Sequence, residues 1–195
     1  MTKVDIFSGF LGAGKTTLIK KLIAEAYRGE KLVLIENEFG EIGIDGGFMQ
    51  ETGIEVNEIN AGCICCSLVG DFYRALREVV EQYAPDRILI EPSGIGMLSD
   101  VVLAVAKIDG VEINSTTTVA DATKCKRYMR VFREFYSDQI AHAGAIVLSR
   151  TAGLDKEKLE ESLALLREHN AEATIITTPC MKSDALSARN PPRNV

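Results

Sequence analysis

In Gly9-Phe10-Leu11-Gly12-Ala13-Gly14-Lys15-Thr16-Thr17, set directly behind the apolar run Val4-Asp5-Ile6-Phe7, the spacing G-x-x-x-x-G-K-T is complete. Each residue type in that spacing has a physical reason. Glycines let successive backbone N–H groups turn inward around phosphates, a lysine reaches the β and γ oxygens, and a hydroxyl serves a magnesium ion. Behind the loop, Leu18, Ile19, Leu22, Ile23 and Ala26 recur at helical spacing. The loop therefore opens a helix whose N-terminus adds the positive end of its dipole. Strand, loop and helix together predict a nucleoside triphosphate site. In it Gly9 begins the turn, the amides of Gly12, Ala13, Gly14, Lys15, Thr16 and Thr17 line the phosphates, and Thr16 ligates Mg²⁺.

Bulk composition narrows the class. A chain of 195 residues with 46% hydrophobic content fits one α/β domain with a proper core. Lys+Arg 22 against Asp+Glu 28 gives a formal charge of −6, without a basic run of the kind nucleic acid requires. The longest apolar run, Val101 to Ala106, is far short of a membrane span, and the N-terminus is expected to enter the first strand without a signal peptide. The expectation is a cytoplasmic protein with neither nucleic-acid nor membrane partners. Of five cysteines, three are packed into Cys63-Ile64-Cys65-Cys66, which suits thiolate chemistry in a reducing compartment better than a disulfide framework.

Along the chain, apolar runs at 31–35, 87–90, 117–119, 145–148 and 174–176 read as strands. Helical patterns at 68–83, 98–107, 124–141 and 156–169 alternate with them, and 54–59 alternates like a half-exposed edge strand. This rhythm predicts an α/β, three-layer P-loop NTPase fold, a mostly parallel doubly wound sheet with helices on both faces. The domain is expected over residues 1–180. Residues 181–195 lose periodicity, collect Ser, Asn, Arg and Pro, and read as a disordered tail.

Polar residues at strand ends supply the remaining candidates. Glu91 follows Ile88-Leu89-Ile90, where an acid can bind Mg²⁺ or its water shell, and Gly94 completes E-x-x-G, where a glycine N–H can meet a γ-phosphate. An ordinary Pro-Ser-Gly turn is the alternative reading of the latter. Glu36, Glu38 and Glu41 could give oxygens to a metal or a base to a water, or form a solvated loop. Cys63, Cys65 and Cys66 can offer two or three sulfurs to Zn²⁺, Co²⁺ or Cu⁺, an open shell suited to metal transfer; the alternative is three small core residues. His142, His169, Cys125 and Cys180 read as ordinary structural residues.

Taken together, GFLGAGKTT, IENEFGEIGID, the GCICC stretch from Gly62 to Cys66 and ILIEPSG resemble the CobW-like branch of P-loop GTPases that includes the HypB and UreG nickel chaperones. The likeness covers roughly residues 3 to 178. It implies a metallochaperone GTPase. GTP and Mg²⁺ would bind at Gly9 to Thr17, and zinc or cobalt near Cys63, Cys65 and Cys66. Glu36 and Glu41 would lie near the metal or the hydrolytic site, and metal would be released to a client metalloprotein or a cobalamin-pathway protein. Lys15, Glu41 and Glu91 are then the catalytic candidates, and Thr16, Glu36, Glu41, Glu91 and the three cysteines the metal ligands. Hydrolysis is expected to be slow because the sequence shows no obvious arginine finger, Arg74 and Arg150 staying open for that role, and a homodimer or client complex is expected to speed it.

Two departures from the family pattern stand out. Members usually read guanine through N/T-K-x-D, whereas here Ser149-Arg150-Thr151-Ala152 follows the strand. The aspartate position is alanine, which removes the hydrogen-bond acceptor for the base and leaves ATP open beside GTP, with Ser149 and Arg150 as base-side candidates. The second departure is length: such proteins usually continue into a smaller C-terminal domain, so the expectation is a G-domain fragment, a truncated reading frame or a short form whose client surface another subunit supplies. Two other functions fit the same loop: a small-molecule phosphotransferase with core cysteines, and a nucleotide switch that does not hydrolyse.

Overall fold

The computed structural model describes residues 1–36 and 69–177. Its strands are β1 (Thr2–Ser8), β2 (Leu32–Glu36), β3 (Arg87–Glu91), β4 (Val111–Asp121), β5 (Ala145–Ser149) and β6 (Thr174–Ile176). Its helices are α1 (Lys15–Glu25), α2 (Val69–Tyr83), α3 (Leu98–Val105), α4 (Cys125–Val131), α5 (Arg133–Ala141) and α6 (Lys156–His169). All six strands pair in parallel, in the order β2-β3-β1-β4-β5-β6.

Parallel strands covered on both faces read as near-continuous apolar runs, and these do. Val4 and Ile6 of β1, Ile88 and Ile90 of β3, and Ile146 and Leu148 of β5 face a core shared with Phe72 and Leu76 of α2, Val101 of α3 and Ile140 of α5. The alternate residues Phe7, Leu89 and Val147 face a second core closed by Leu18, Ile19 and Ile23 of α1. The result is the expected three-layer sandwich. The order turns back at β1, which has β3 on one side and β4 on the other, and in open α/β sheets ligands sit beyond the strand ends at that reversal. The glycine-rich loop leaves β1 at this point.

One charged residue is set inside the apolar alternation of β1. Asp5 is fully buried, pairs with the Arg87 guanidinium and accepts hydrogen bonds from Asn114 Nδ2 at 2.7 Å and from Ser115 Oγ. Arg87 also reaches Glu30 at 2.6 Å and lies 4.3 Å over the Tyr27 ring. Buried charges persist when paired and hydrogen-bonded in this way. The cluster anchors the strand starts, away from the loop, and burial pushes the Tyr27 hydroxyl well above the ordinary phenol range.

The continuous helix expected over 124–141 is two helices. Phe132, with φ −122° and ψ 39°, separates α4 from α5. Residues eight apart on a straight helix lie about 12 Å apart along its axis. Here Tyr128 and Tyr136, eight apart, both meet the Phe10 ring, at 4.7 and 5.4 Å between centroids, and Phe132 meets it at 5.2 Å. Bending the axis gathers three rings on one, a tertiary gain that outweighs one helical residue. Cys125 lies in this core, its thiol 3.2 Å from the Tyr136 hydroxyl that donates to it, and burial raises its pKa. The strand expected at 117–119 extends to eleven residues. The expected strand at 54–59 and the tail from 181 lie outside the described residues.

Candidate nucleotide site

The loop conformation follows from its glycines. Gly9, Gly12 and Gly14 have φ values of 139°, 71° and 106°, a region that side chains with a Cβ rarely occupy. At Gly12 and Gly14 a Cβ would meet nothing within 4 Å, so the backbone there borders open space that an anion can approach closely. Gly14 immediately precedes α1, which makes this the N-terminal end of an eleven-residue helix. Open backbone and helix terminus together fit a phosphate.

Lys15 is 4% exposed, and its Nζ lies 3.5 Å from Glu91 Oε1. Thr16 Oγ1 lies 3.4 and 3.3 Å from the two Glu91 oxygens. The end of β3 therefore delivers its acid to both residues that the loop pattern singled out. Glu36, at the end of β2, pairs in register with Glu91, which sets two carboxylate residues side by side at the strand ends. A hydroxyl and carboxylates are the oxygen donors that a hard divalent cation prefers. This donor set fits Mg²⁺.

Gly94 packs against the loop itself: a Cβ on it would lie 2.7 Å from the Leu11 nitrogen. The base-side segment is tied to the loop from the other direction. Ser149 Oγ donates to the Ala13 carbonyl at 2.7 Å, and the Arg150 guanidinium donates to the Gly12 carbonyl at 2.9 Å. Arg150 has φ 56°, and its Nε is 3.2 Å from Oδ2 of Asp121, a carboxylate 2% exposed at the end of β4. Ala152 is exposed. Asp155, a few residues on, precedes α6 and pairs with Lys158 at 2.9 Å.

The structure thus brings together Gly9, Gly12, Ala13, Gly14, Lys15, Thr16, Glu91, Gly94, Ser149 and Arg150, with Glu36 beside them through the sheet register. Thr17 continues α1 from the loop. Glu38, Glu41, Cys63, Cys65, Cys66 and Cys180 lie outside the described residues. Among the described residues, no group of three or more His, Cys, Asp or Glu could hold a metal ion. Two residues here went unread in the sequence. Asp121 carries the same signal as Glu36 and Glu91, a polar residue ending an apolar strand, and could have been found by it. Gln139, whose side chain meets the Gly94 segment, carries no such signal.

Fold and loop define a P-loop nucleotide-binding domain. The profile of the CobW/HypB/UreG nucleotide-binding domain matches residues 3–177, and the chain belongs to that family. It is 34% identical over 170 residues to "Zinc chaperone YeiR" of Escherichia coli K12, covering 86% of this chain and 51% of that protein. It is 30% identical over 190 residues to "Zinc chaperone CobW" of Pseudomonas aeruginosa PAO1, covering 80% and 50%. The chain spans about half the length of these relatives. Among solved structures it resembles the hydrogenase maturation factor HypB of Archaeoglobus fulgidus, with a TM-score of 0.66, 22% identity and coverage of 92% and 82%. It resembles Zn(II)-bound YjiA GTPase of E. coli at a TM-score of 0.65 and 22% identity, covering 96% and 60%. These two likenesses concern the fold. Among the described residues no helix is long and apolar enough to cross a membrane.

Proposed function

We propose that this domain binds and hydrolyses a nucleoside triphosphate with Mg²⁺, GTP before ATP, and couples that cycle to holding zinc and passing it to a client metalloprotein. The observation that carries the reading is the convergence of Lys15 and Thr16 on Glu91 beside the open glycine backbone. Relatives named as zinc chaperones support zinc over cobalt as the cargo, and the family resemblance supports GTP.

Residue roles follow from charge and placement. Lys15 supplies the positive charge that a triphosphate needs when desolvated, and the Gly12 to Thr17 amides orient its oxygens. Thr16 and Glu91 would hold Mg²⁺, which would neutralise phosphate charge when bound. Gly94 lies at the loop's edge, where its backbone is suited to the terminal phosphate. Glu41 is proposed to orient the attacking water. Cys63, Cys65 and Cys66, with Glu36 and Glu41, are proposed to hold the cargo zinc.

Single-turnover phosphate release with GTP and ATP in parallel tests the hydrolytic part. Slow release favouring GTP supports it. Tight binding with no release supports a bare switch, and stoichiometric phosphate on an acceptor supports a phosphotransferase. Cys65→Ser is expected to weaken zinc binding by about tenfold or more and to leave nucleotide affinity nearly unchanged, because thiolate is a far better zinc donor than hydroxyl. Equal zinc affinity by competition with a chromophoric chelator would remove the cysteines from the site.

The base is testable at Ala152. A carboxylate there would restore an acceptor for the guanine N1–H and amine, so Ala152→Asp is expected to raise the GTP-over-ATP affinity ratio by about tenfold or more. Calorimetry with both analogues checks this, and an unchanged ratio would place the base elsewhere.

A further inference from the structure

The segment joining Glu91 to α3 is a tight turn with two glycines, in which the Gly96 N–H donates to the Ser93 carbonyl at 2.9 Å. On one side Gly94 lies against Leu11 of the glycine-rich loop. From the other side a buried side chain reaches the turn. Gln139 of α5, fully buried, donates its Nε2 to the Gly96 carbonyl at 2.8 Å and to the Gly94 carbonyl at 3.2 Å. Among the described residues its Oε1 has no hydrogen-bond partner, and the amide's hydrogen bonds among them go to the two turn carbonyls.

The helix that carries Gln139 is itself well fixed. Its neighbour Asp138 accepts the Ser99 N–H at 3.1 Å in the first turn of α3, just past the turn. The Gln139 carbonyl accepts from Thr118 Oγ1 of β4 at 2.6 Å. One turn earlier, Tyr136 meets Phe10 in the glycine-rich loop. Thus α5 touches the loop through one side chain and the 93–96 turn through another.

We propose that Gln139 is a positioning residue for the 93–96 turn, selecting the conformation in which Gly94 lies at the edge of the loop where a terminal phosphate would meet it. The proposal rests on the triphosphate reading above. Glycines at 94 and 96 give this turn wide backbone freedom, and two hydrogen bonds to its carbonyls confine it. A diphosphate depends on Lys15 and the Gly12 to Thr17 amides, which Gln139 does not touch. Discrimination of triphosphate from diphosphate, and turnover, should therefore depend on Gln139, while diphosphate affinity should not.

Gln139→Met keeps side-chain length and packing and removes the donor. With Mg²⁺ and the full chain, calorimetry with GDP and a non-hydrolysable GTP analogue, run beside the adenine pair, is expected to leave the diphosphate Kd within about twofold of wild type. The triphosphate-over-diphosphate preference should fall by about tenfold, with kcat falling more than KM rises. Should that variant fail to fold, Gln139→Asn, whose amide stops one methylene short, is read in the same way, with hydrogen exchange at 93–99 in the wild-type protein as the parallel measurement. Exchange there that is slower with the triphosphate analogue than with GDP supports the proposal, and equal exchange overturns it. Unchanged preference in a folded variant overturns the inference alone, as does parallel loss of both affinities. Wild-type protein that binds neither nucleotide overturns the nucleotide reading itself.

Discussion

Lys15→Ala is expected to lower triphosphate affinity by at least about a hundredfold, close to 3 kcal/mol. Hydrogen bonds to charged partners contribute about 1.5–3 kcal/mol each, and one ammonium here has three donors to place on phosphate oxygens. The lysine is also 4% exposed and 3.5 Å from Glu91, so its ammonium is held beside the acid that ends β3. That proximity has a second consequence. Removing one partner of a buried ion pair lowers stability by about 3 kcal/mol, so the free variant should melt earlier as well. Calorimetry together with a melting curve separates the two effects. Triphosphate affinity equal to wild type in a folded variant would remove the loop from the site.

Gly9→Ala is expected to lower the stability of the folded state by about 3 kcal/mol or more. The residue has φ 139°, and its added Cβ would sit 2.3 Å from the carbonyl oxygen of Val119. That oxygen belongs to β4, whose register with β1 pairs Ser8 with Thr118, so it cannot retreat without disturbing the central strands. Gly12 supplies the contrast. It too has positive φ, at 71°, but a Cβ there meets nothing within 4 Å. Gly12→Ala should therefore lower stability by only about 1 kcal/mol, the ordinary cost of a left-handed alanine. Urea unfolding of both variants checks the pair, and equal losses would contradict the geometry.

The strand and helix alternation was legible because each element carries its own period and each strand is buried on both faces. The site was legible where a local spacing encodes a local conformation, as in the glycine-rich loop, or where a polar residue ends an apolar strand, as at Glu36 and Glu91. What stayed hidden depends on tertiary contact. The break at Phe132 leaves the helical pattern of 124–141 intact, because its cause is a ring on a loop more than a hundred residues earlier. Gln139 is a polar residue in an unremarkable helix until the 93–96 turn lies beside it. Arg150 was legible only as a base-side candidate; that its guanidinium donates to the Gly12 carbonyl and lies near Asp121 depends on contacts that the fold alone brings together.

We propose a coupling in which nucleotide state governs a thiolate metal site. It is tested most directly by titrating the reduced protein with Co²⁺ and following visible absorption, with Mg²⁺ and a non-hydrolysable GTP analogue, with the ATP analogue, and with neither. Thiolate-type absorption that strengthens with the guanine analogue is the predicted result. Absence of a thiolate band under every nucleotide condition would contradict it.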